Sequence, residues 1–257
     1  MTTGRTLPEF QRVYTDGYDL SSYIVETGEQ GVAFAEPRVP ALADPIIGTQ
    51  PSDPAVTCGP WQALFDNTAT SGMHVLANAA QGTRRNILVA YGIQAAPAVG
   101  DPVFCVPALQ SSYKGVGSPQ VTATLKFAYD SNARLNYWQL FGNLLHVIGA
   151  ETSANSSTAA GQDNGAASSK GGWLQYHITS ITGTGTVTIS VDDSADGTTY
   201  AALSGATSGA IATASAPVAG FVQLATTATV RRYLRWQIAF GGSATACTFA
   251  LAFMRGI

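Results

Sequence analysis

Apolar and polar side chains take turns, one for one, along several stretches of this chain. In Val121-Thr122-Ala123-Thr124-Leu125-Lys126-Phe127 the alternation puts Val121, Ala123, Leu125 and Phe127 on one covered face, which is the period of a half-buried β-strand. Trp173 to Thr179 alternates, and Thr186 to Val191 alternates again. Val230, Arg232, Leu234, Trp236, Ile238 and Phe240 fall on one face of a long predicted strand, with Arg231, Tyr233, Arg235 and Gln237 on the other. Cys247, Phe249, Leu251 and Phe253 share a face, and Phe221 to Leu224 adds a shorter strand. Earlier in the chain, Arg12 to Thr15 reads as a strand closed by Asp16-Gly17, a dipeptide suited to a tight hairpin turn, with Tyr18 to Tyr23 continuing extended. Ile87 to Tyr91 and Pro102 to Val106 read as buried strands. Short strands at this spacing, with few helices between them, specify a mainly β fold, an antiparallel sandwich or jelly roll.

Four segments break the pattern. Asn67, Thr68, Thr70 and Ser71 offer helix-start chemistry before Met73, Val75, Leu76 and Ala79, so a short helix ending near Gly82 is expected. Residues 28–60 carry Pro37, Pro40, Pro45, Pro51, Pro54 and Pro60. Each removes a backbone donor and fixes φ, so no regular element is expected there. An arm that packs on another subunit is expected instead. From Leu135 to Ile148 the pattern fits either a helix face or the first strand of a new domain, with Gly142 favouring the strand. Glu151 to Gly172 is rich in Ser, Ala, Gly and Asn and should be a flexible loop. The division that follows is a domain at 1–133 and a second β-sandwich at 134–257, immunoglobulin-like or jelly-roll-like.

Charged residues make up only 11% of the chain against 46% hydrophobic, well below the usual quarter. A surface so poor in charge fits a subunit covered by its neighbours. The net charge is -3 with no run of Lys and Arg, which excludes tight binding to a phosphate backbone. A mildly acidic conduit could still let DNA slide through. Cys58, Cys105 and Cys247 form no C-x-x-C pair, so they read as small buried hydrophobes. Met1 to Phe10 lacks signal-peptide layout, and no apolar stretch reaches membrane-spanning length. Synthesis in a cytoplasm, without membrane insertion, is expected.

The search for chemistry leaves little. Asp192-Asp193-Ser194-Ala195-Asp196-Gly197 begins like a calcium loop, but Leu203 stands at the twelfth position where a bidentate Glu is needed. A polar hairpin turn with Gly197 at positive φ accounts for it better. His74 reads as a helix-surface or interfacial residue, and His146 and His177 as strand residues; none has a second ligand at metal spacing, and no G-x-S-x-G elbow is present. Asn155-Ser156-Ser157 matches a glycosylation acceptor by chance, and Gly115-Val116-Gly117 reads as a turn. No catalytic residue, metal site or cofactor is expected. The surface candidate is Arg231, Tyr233 and Arg235, a row suited to an acidic neighbour, a glycan or simply water.

One resemblance joins these readings. Val13-Tyr14-Thr15-Asp16-Gly17-Tyr18-Asp19-Leu20-Ser21, the Pro-rich segment, Trp61 to Asp66, the helix around Met73 to Ala79, Val89 to Tyr91, Gly100 to Phe104 and the strand Val121 to Phe127 follow one another in an order that resembles the tail tube proteins of long-tailed bacteriophages. The resemblance covers about half the chain. It implies a non-enzymatic virion subunit, hexameric rings stacked into a hollow tube for passing DNA, contact with other tail proteins, and an arm (Pro37, Pro40, Pro45, Pro51, Pro54) that meets the next ring. Val187 to Val191, Ser194 to Tyr200 and Arg231 to Trp236 are similar to β-sandwich modules appended to phage virion proteins. That addition keeps alternatives open: a capsid decoration or tail fibre protein, or a carbohydrate- or receptor-binding module.

Overall fold

A computed structural model of the protein describes residues 8–34, 38–39, 48–49, 54–117, 121–129, 139–152 and 161–256. After a single helical turn at Pro8–Phe10 come β1 (Gln11–Thr15), β2 (Tyr18–Asp19), β3 (Ile24–Glu26), β4 (Glu29–Phe34), β5 (Arg38–Val39), β6 (Gly48–Thr49), β7 (Pro54–Gly59) and β8 (Trp61–Leu64). The helix α1 (Met73–Ala79) precedes β9 (Arg84–Tyr91), β10 (Pro102–Gly117) and β11 (Val121–Tyr129). The remainder is β12 (Phe141–Glu151), β13 (Gln162–Asp163), β14 (Gly172–Ser194), β15 (Ala201–Thr207), β16 (Ile211–Ala212), β17 (Val218–Gln223) and β18 (Tyr233–Arg255). The fold is mainly β, as the alternation requires, with α1 where the stripe expects it, although its buried residues are Met73, Leu76 and Ala77 while Val75 is half-buried and Ala79 exposed.

One antiparallel sheet runs in the order β15-β14-β18-β12-β10-β11-β8-β3, with β9 joining β10 to β1. It passes from strands before residue 133 to strands after residue 134 where Pro102–Phe104 pair with Asn143–Phe141. Two apolar cores lie against it. The first gathers Val13, Trp61, Met73, Leu88, Phe104 and Leu125, and the second Val187, Ile189, Leu203, Leu234, Ile238 and Phe249. β18 separates them: Cys247, Phe249, Leu251 and Phe253 enter the second core, and Ala250, Ala252 and Met254 the first. A strand buried on both faces shows less alternation than a half-buried one, and small Ala residues on one face let the opposite layer approach.

Several expectations change. Residues 28–60 are not without regular structure: β4 pairs with β7 from Glu29↔Gly59 to Phe34↔Pro54, and β5 with β6 from Arg38↔Thr49 to Val39↔Gly48. Proline is tolerated at the first residue of a strand, and Pro54 stands there. Tyr18 to Tyr23 does not stay extended. β2 stops at Asp19, whose Oδ1 accepts the Ser21 N–H at 2.9 Å and so turns the chain. Of Glu151 to Gly172, Glu151 ends β12 and the stretch from Gly161 is held by backbone bonds: Asn164 N–H to Arg232 O at 3.0 Å, Ser168 N–H to Val230 O at 2.9 Å and Gly171 N–H to Ala228 O at 2.8 Å. Small residues have little to bury, yet they allow this close backbone approach. Gly115-Val116-Gly117 is strand, paired with Ala123 to Val121. Leu144 to Ile148 lies within β12, the strand alternative of the ambiguous segment.

The two stretches read as separate strands at 173–179 and 186–191 form one, β14, which pairs with β18 from Gly172↔Arg255 to Ser194↔Tyr233. The glycines between them resemble a turn in sequence. Instead Gly183, at φ +94, sits at a register shift where a Cβ would lie 2.1 Å from Ser243 O. The ladder bends there without ending.

Candidate functional site

Three features stand out beyond the cores: the arm, the arginine row and a polar seam between the layers. The arm is a two-stranded ribbon separate from the main sheet. Its root is anchored, with Cys58 buried, Val32 and Val56 packed on the first core, and the Tyr91 hydroxyl donating to Gln30 Oε1. Of the arm prolines, Pro54 opens β7 opposite Phe34. Pro37, Pro40, Pro45 and Pro51 lie outside the described residues.

The arginine row is organised differently from the sequence expectation. β18 begins only at Tyr233, so Arg231 and Arg232 precede the strand and take no part in its two faces. The Arg231 backbone N–H donates to Asp193 Oδ2 at 2.9 Å, and its guanidinium lies 3.7 Å from Asp193 Oδ1. Arg232 grips Asp163 with two bonds of 2.7 and 2.6 Å, and holds that carboxyl down to about 2. Arg235 donates to Asp192 Oδ2 at 3.0 Å, as does Gln237 at 2.9 Å, and stacks over the Tyr200 ring at 4.1 Å. The Tyr200 hydroxyl accepts the Gly161 N–H at 2.8 Å. Tyr233 lies under Arg232. Each guanidinium therefore meets a carboxylate of this chain: Arg232 ties Asp163 to the residues just before β18, and Arg235 on β18 holds Asp192 and Tyr200. Asp163 escaped sequence reading, and Asp192, Asp193 and Tyr200 were read only as turn or module residues, although the Asp192↔Arg235 pairing becomes evident once the β14–β18 register is known.

The turn after β14 is a side-chain-capped loop. Asp196 Oδ1 accepts the N–H groups of Thr199 and Thr198 at 2.8 Å and the Ser194 hydroxyl at 2.8 Å, and these bonds hold its carboxyl well below the usual range. Gly197 has φ +74. Asp192 and Asp193 face arginines rather than a shared ion site. Among the described residues no group of three or more His, Cys, Asp or Glu is placed to hold a metal.

The seam lies where β14 meets β1 and β9. His177 is fully buried, and burial pushes its imidazole down to about 3. The Gly17 N–H donates to its Nδ1 at 3.4 Å, and Gln175 Nε2, 2.8 Å from its Nε2, donates to Ile87 O at 2.8 Å. Asp16 pairs with buried Arg85 at 3.1 Å and accepts the Asn86 N–H at 2.8 Å, while Asn86 Nδ2 donates to Ala219 O at 3.4 Å. Burial raises the Asp16 carboxyl, opposed by Arg85. This cluster joins elements far apart in sequence by directional bonds. His74 is half-buried, its Nδ1 2.8 Å from the Tyr113 hydroxyl. His146 stacks on Phe249 at 4.0 Å with Glu151 3.0 Å from its Nε2. All three cysteines are buried and unpaired.

No protein-family model and no curated protein matches the sequence. Among solved structures the chain is similar to the Dit protein of phage SPP1, described as a paradigm of the hub adsorption apparatus in phages that infect Gram-positive bacteria. The identity is 11%, the TM-score 0.32, and the match covers 96% of this chain and 99% of that one. Among the described residues, no helix is long and apolar enough to cross a membrane.

Proposed function

We propose that this chain is a non-enzymatic structural subunit of a bacteriophage tail, a tail tube protein whose copies form rings that stack into a conduit for DNA. The observation that carries the reading is the arm: a paired ribbon outside the main sheet, held to the first core by Cys58, Val32 and Val56. Such a ribbon does not complete a core of its own, so its extended backbone suits contact with another copy. Two further facts fit. The chain is poor in charge, and its sheet ends on strands, β3 and β15, that have one neighbour each among the described residues, edges that an assembly would protect. In this reading the virion is its place, other tail proteins are its partners, and DNA passes without sequence-specific contact. The domains at 1–133 and 134–257 would serve as ring-forming unit and outer module, with Arg231, Tyr233 and Arg235 bracing the latter rather than binding a glycan.

The test deletes residues 38–53, leaving the β4–β7 ladder. Negative-stain images of the parent protein should show rings or open-ended tubes. The deletion should retain the β-sheet circular dichroism spectrum and form rings that no longer stack. Tubes that persist without the segment, or a deletion that no longer folds, would reject the role given to the arm.

A further inference from the structure

One cleft gathers positive charge without a carboxylate to match it. It opens between the loop after β13 and the end of β18, has a volume of about 410 Å³, and is lined by Ala167, Ser168, Ser169, Lys170, Arg255 and Gly256 among others, with no Asp or Glu. Its two walls are bonded to each other. Ser168 exchanges backbone bonds with Val230 at 2.9 and 2.8 Å, and the Gly256 N–H donates to Gly171 O at 2.9 Å. The Ser168 hydroxyl donates to Gly256 O at 2.5 Å and accepts the Lys170 N–H at 3.3 Å. A Cβ on Gly256 would lie 2.2 Å from Lys170 O, so only glycine allows the walls to meet this closely.

Several donors here lack an acceptor. Lys170 is exposed and has no ion-pair partner among the described residues. Arg255 is half-buried; its Nη2 donates to Val230 O at 2.8 Å, but its buried Nε meets no acceptor. Burial pushes this guanidinium down from its ordinary value, opposed by the charge of Asp193, yet that carboxylate is already engaged by the Arg231 N–H and guanidinium. The backbone N–H groups of Ala167 and Ser169, both exposed residues, have no partner among the described residues. Arg231, Arg232 and Arg235 each meet a carboxylate of the chain, so the Lys170 and Arg255 pair is the exception.

We propose that this cleft binds a phosphate group, held by Lys170 and Arg255 together with the N–H groups of Ala167 and Ser169 and the Ser169 hydroxyl. Two neighbouring cations repel each other unless an anion stands between them. A phosphate monoester, with a charge of about −1.5 to −2 and three strong acceptor oxygens, matches both cations and the donors around them. A carboxylate brings a single charge and two oxygens, fewer than the donors gathered here. Bonds from Lys and Arg to such an anion are about twice as strong as neutral ones, and walls that are already bonded to each other need little ordering to receive it. Two cations are too few to track a polynucleotide, so the ligand is a single phosphate group, either the free ion or the monoester of a small molecule. The site does not depend on how copies of the chain assemble.

Isothermal titration of the full chain with inorganic phosphate tests it, alongside thermal melting followed by circular dichroism. Phosphate should bind saturably and raise the melting temperature, and chloride at the same ionic strength should do neither. Lys170→Gln, at an exposed position where folding should be preserved, should weaken binding roughly fivefold, and Lys170→Arg should restore it. Arg255→Gln, checked for an intact β-sheet spectrum, should weaken it by at least as much. Glycerol 3-phosphate identifies the source: binding equal to that of phosphate upholds a monoester site, and binding of phosphate alone upholds a site for the free ion. Absence of saturable binding, an equal response to chloride, acetate bound as tightly as phosphate, or unchanged binding in both Lys170→Gln and Arg255→Gln would overturn the proposal.

Discussion

Lowering the pH should loosen the seam at His177 before any surface carboxylate responds. The imidazole ordinarily titrates at 6.5 and is pushed down to about 3 by complete burial. At pH 5 the unfolded chain holds a proton that the folded chain does not, so stability falls as the pH drops from the unfolded value towards the folded one. Each pH unit inside that window contributes about 1.4 kcal/mol per proton. From pH 6.5 to 4.5 the loss is therefore about 2 kcal/mol, because at 6.5 the unfolded imidazole is only half protonated, a large share of the ~5–15 kcal/mol that holds a typical domain. Asp163, held down to about 2, and Asp196, held well below the usual range, lose their contribution as the pH falls through the unfolded carboxylate value of 3.8, below the lowest pH of this series. The assay is urea unfolding of the parent and His177→Gln at pH 7.5, 6.5, 5.5 and 4.5. Glutamine can accept the Gly17 N–H that now reaches Nδ1 but takes up no proton. The parent should lose stability relative to the variant by about 3 kcal/mol across the series. Curves that run parallel to within about 0.5 kcal/mol would refute the claim that burial keeps this ring neutral.

Other consequences are simpler. Gly17→Ala should destabilise by at least about 2 kcal/mol, because φ is +84 and a Cβ would sit 2.4 Å from Val218 N; chemical denaturation measures it. Phe249→Ala should cost about 3–5 kcal/mol in the same assay, since the ring is fully buried in the second core. Arg235→Met should cost about 2 kcal/mol, because Asp192, only 14% exposed, loses its cation. Arg232→Gln should speed amide exchange at Gly165, whose N–H bonds to the Asp163 carboxylate that Arg232 holds, with little change in Tm. None of the three thiols should react with a disulfide reagent in the native state, and all three should react in urea, since each is buried and burial raises its thiol pKa.

Legibility differs from element to element for physical reasons. β11 is plain in the alternation of Val121 to Phe127 because one face meets core and the other solvent, with Ala123 and Leu125 buried and Lys126 exposed. The arm ribbon was hidden because its prolines suggest irregularity, while the backbone bonds that make it a ladder join residues about 25 apart. β14 was split in two because glycine in a strand and glycine in a turn look alike until a partner strand is in place. The arginine row was read as a surface for others because its anions, Asp163, Asp192 and Asp193, stand about 40 to 70 residues away. No signal short of the sheet register points to them.

By itself the sequence determined what depends on neighbours along the chain. Side-chain period set strand or helix, Asp16-Gly17 set the first hairpin, and Asp196-Gly197 shaped the turn after β14. Only the tertiary structure decided what depends on residues brought together from afar: which strands pair, that Phe249 to Met254 of β18 are buried on both faces, and that His177 sits beneath Gly17. Backbone preferences act over a few residues, whereas strand register and desolvation are set by partners that the chain places close together only when it folds.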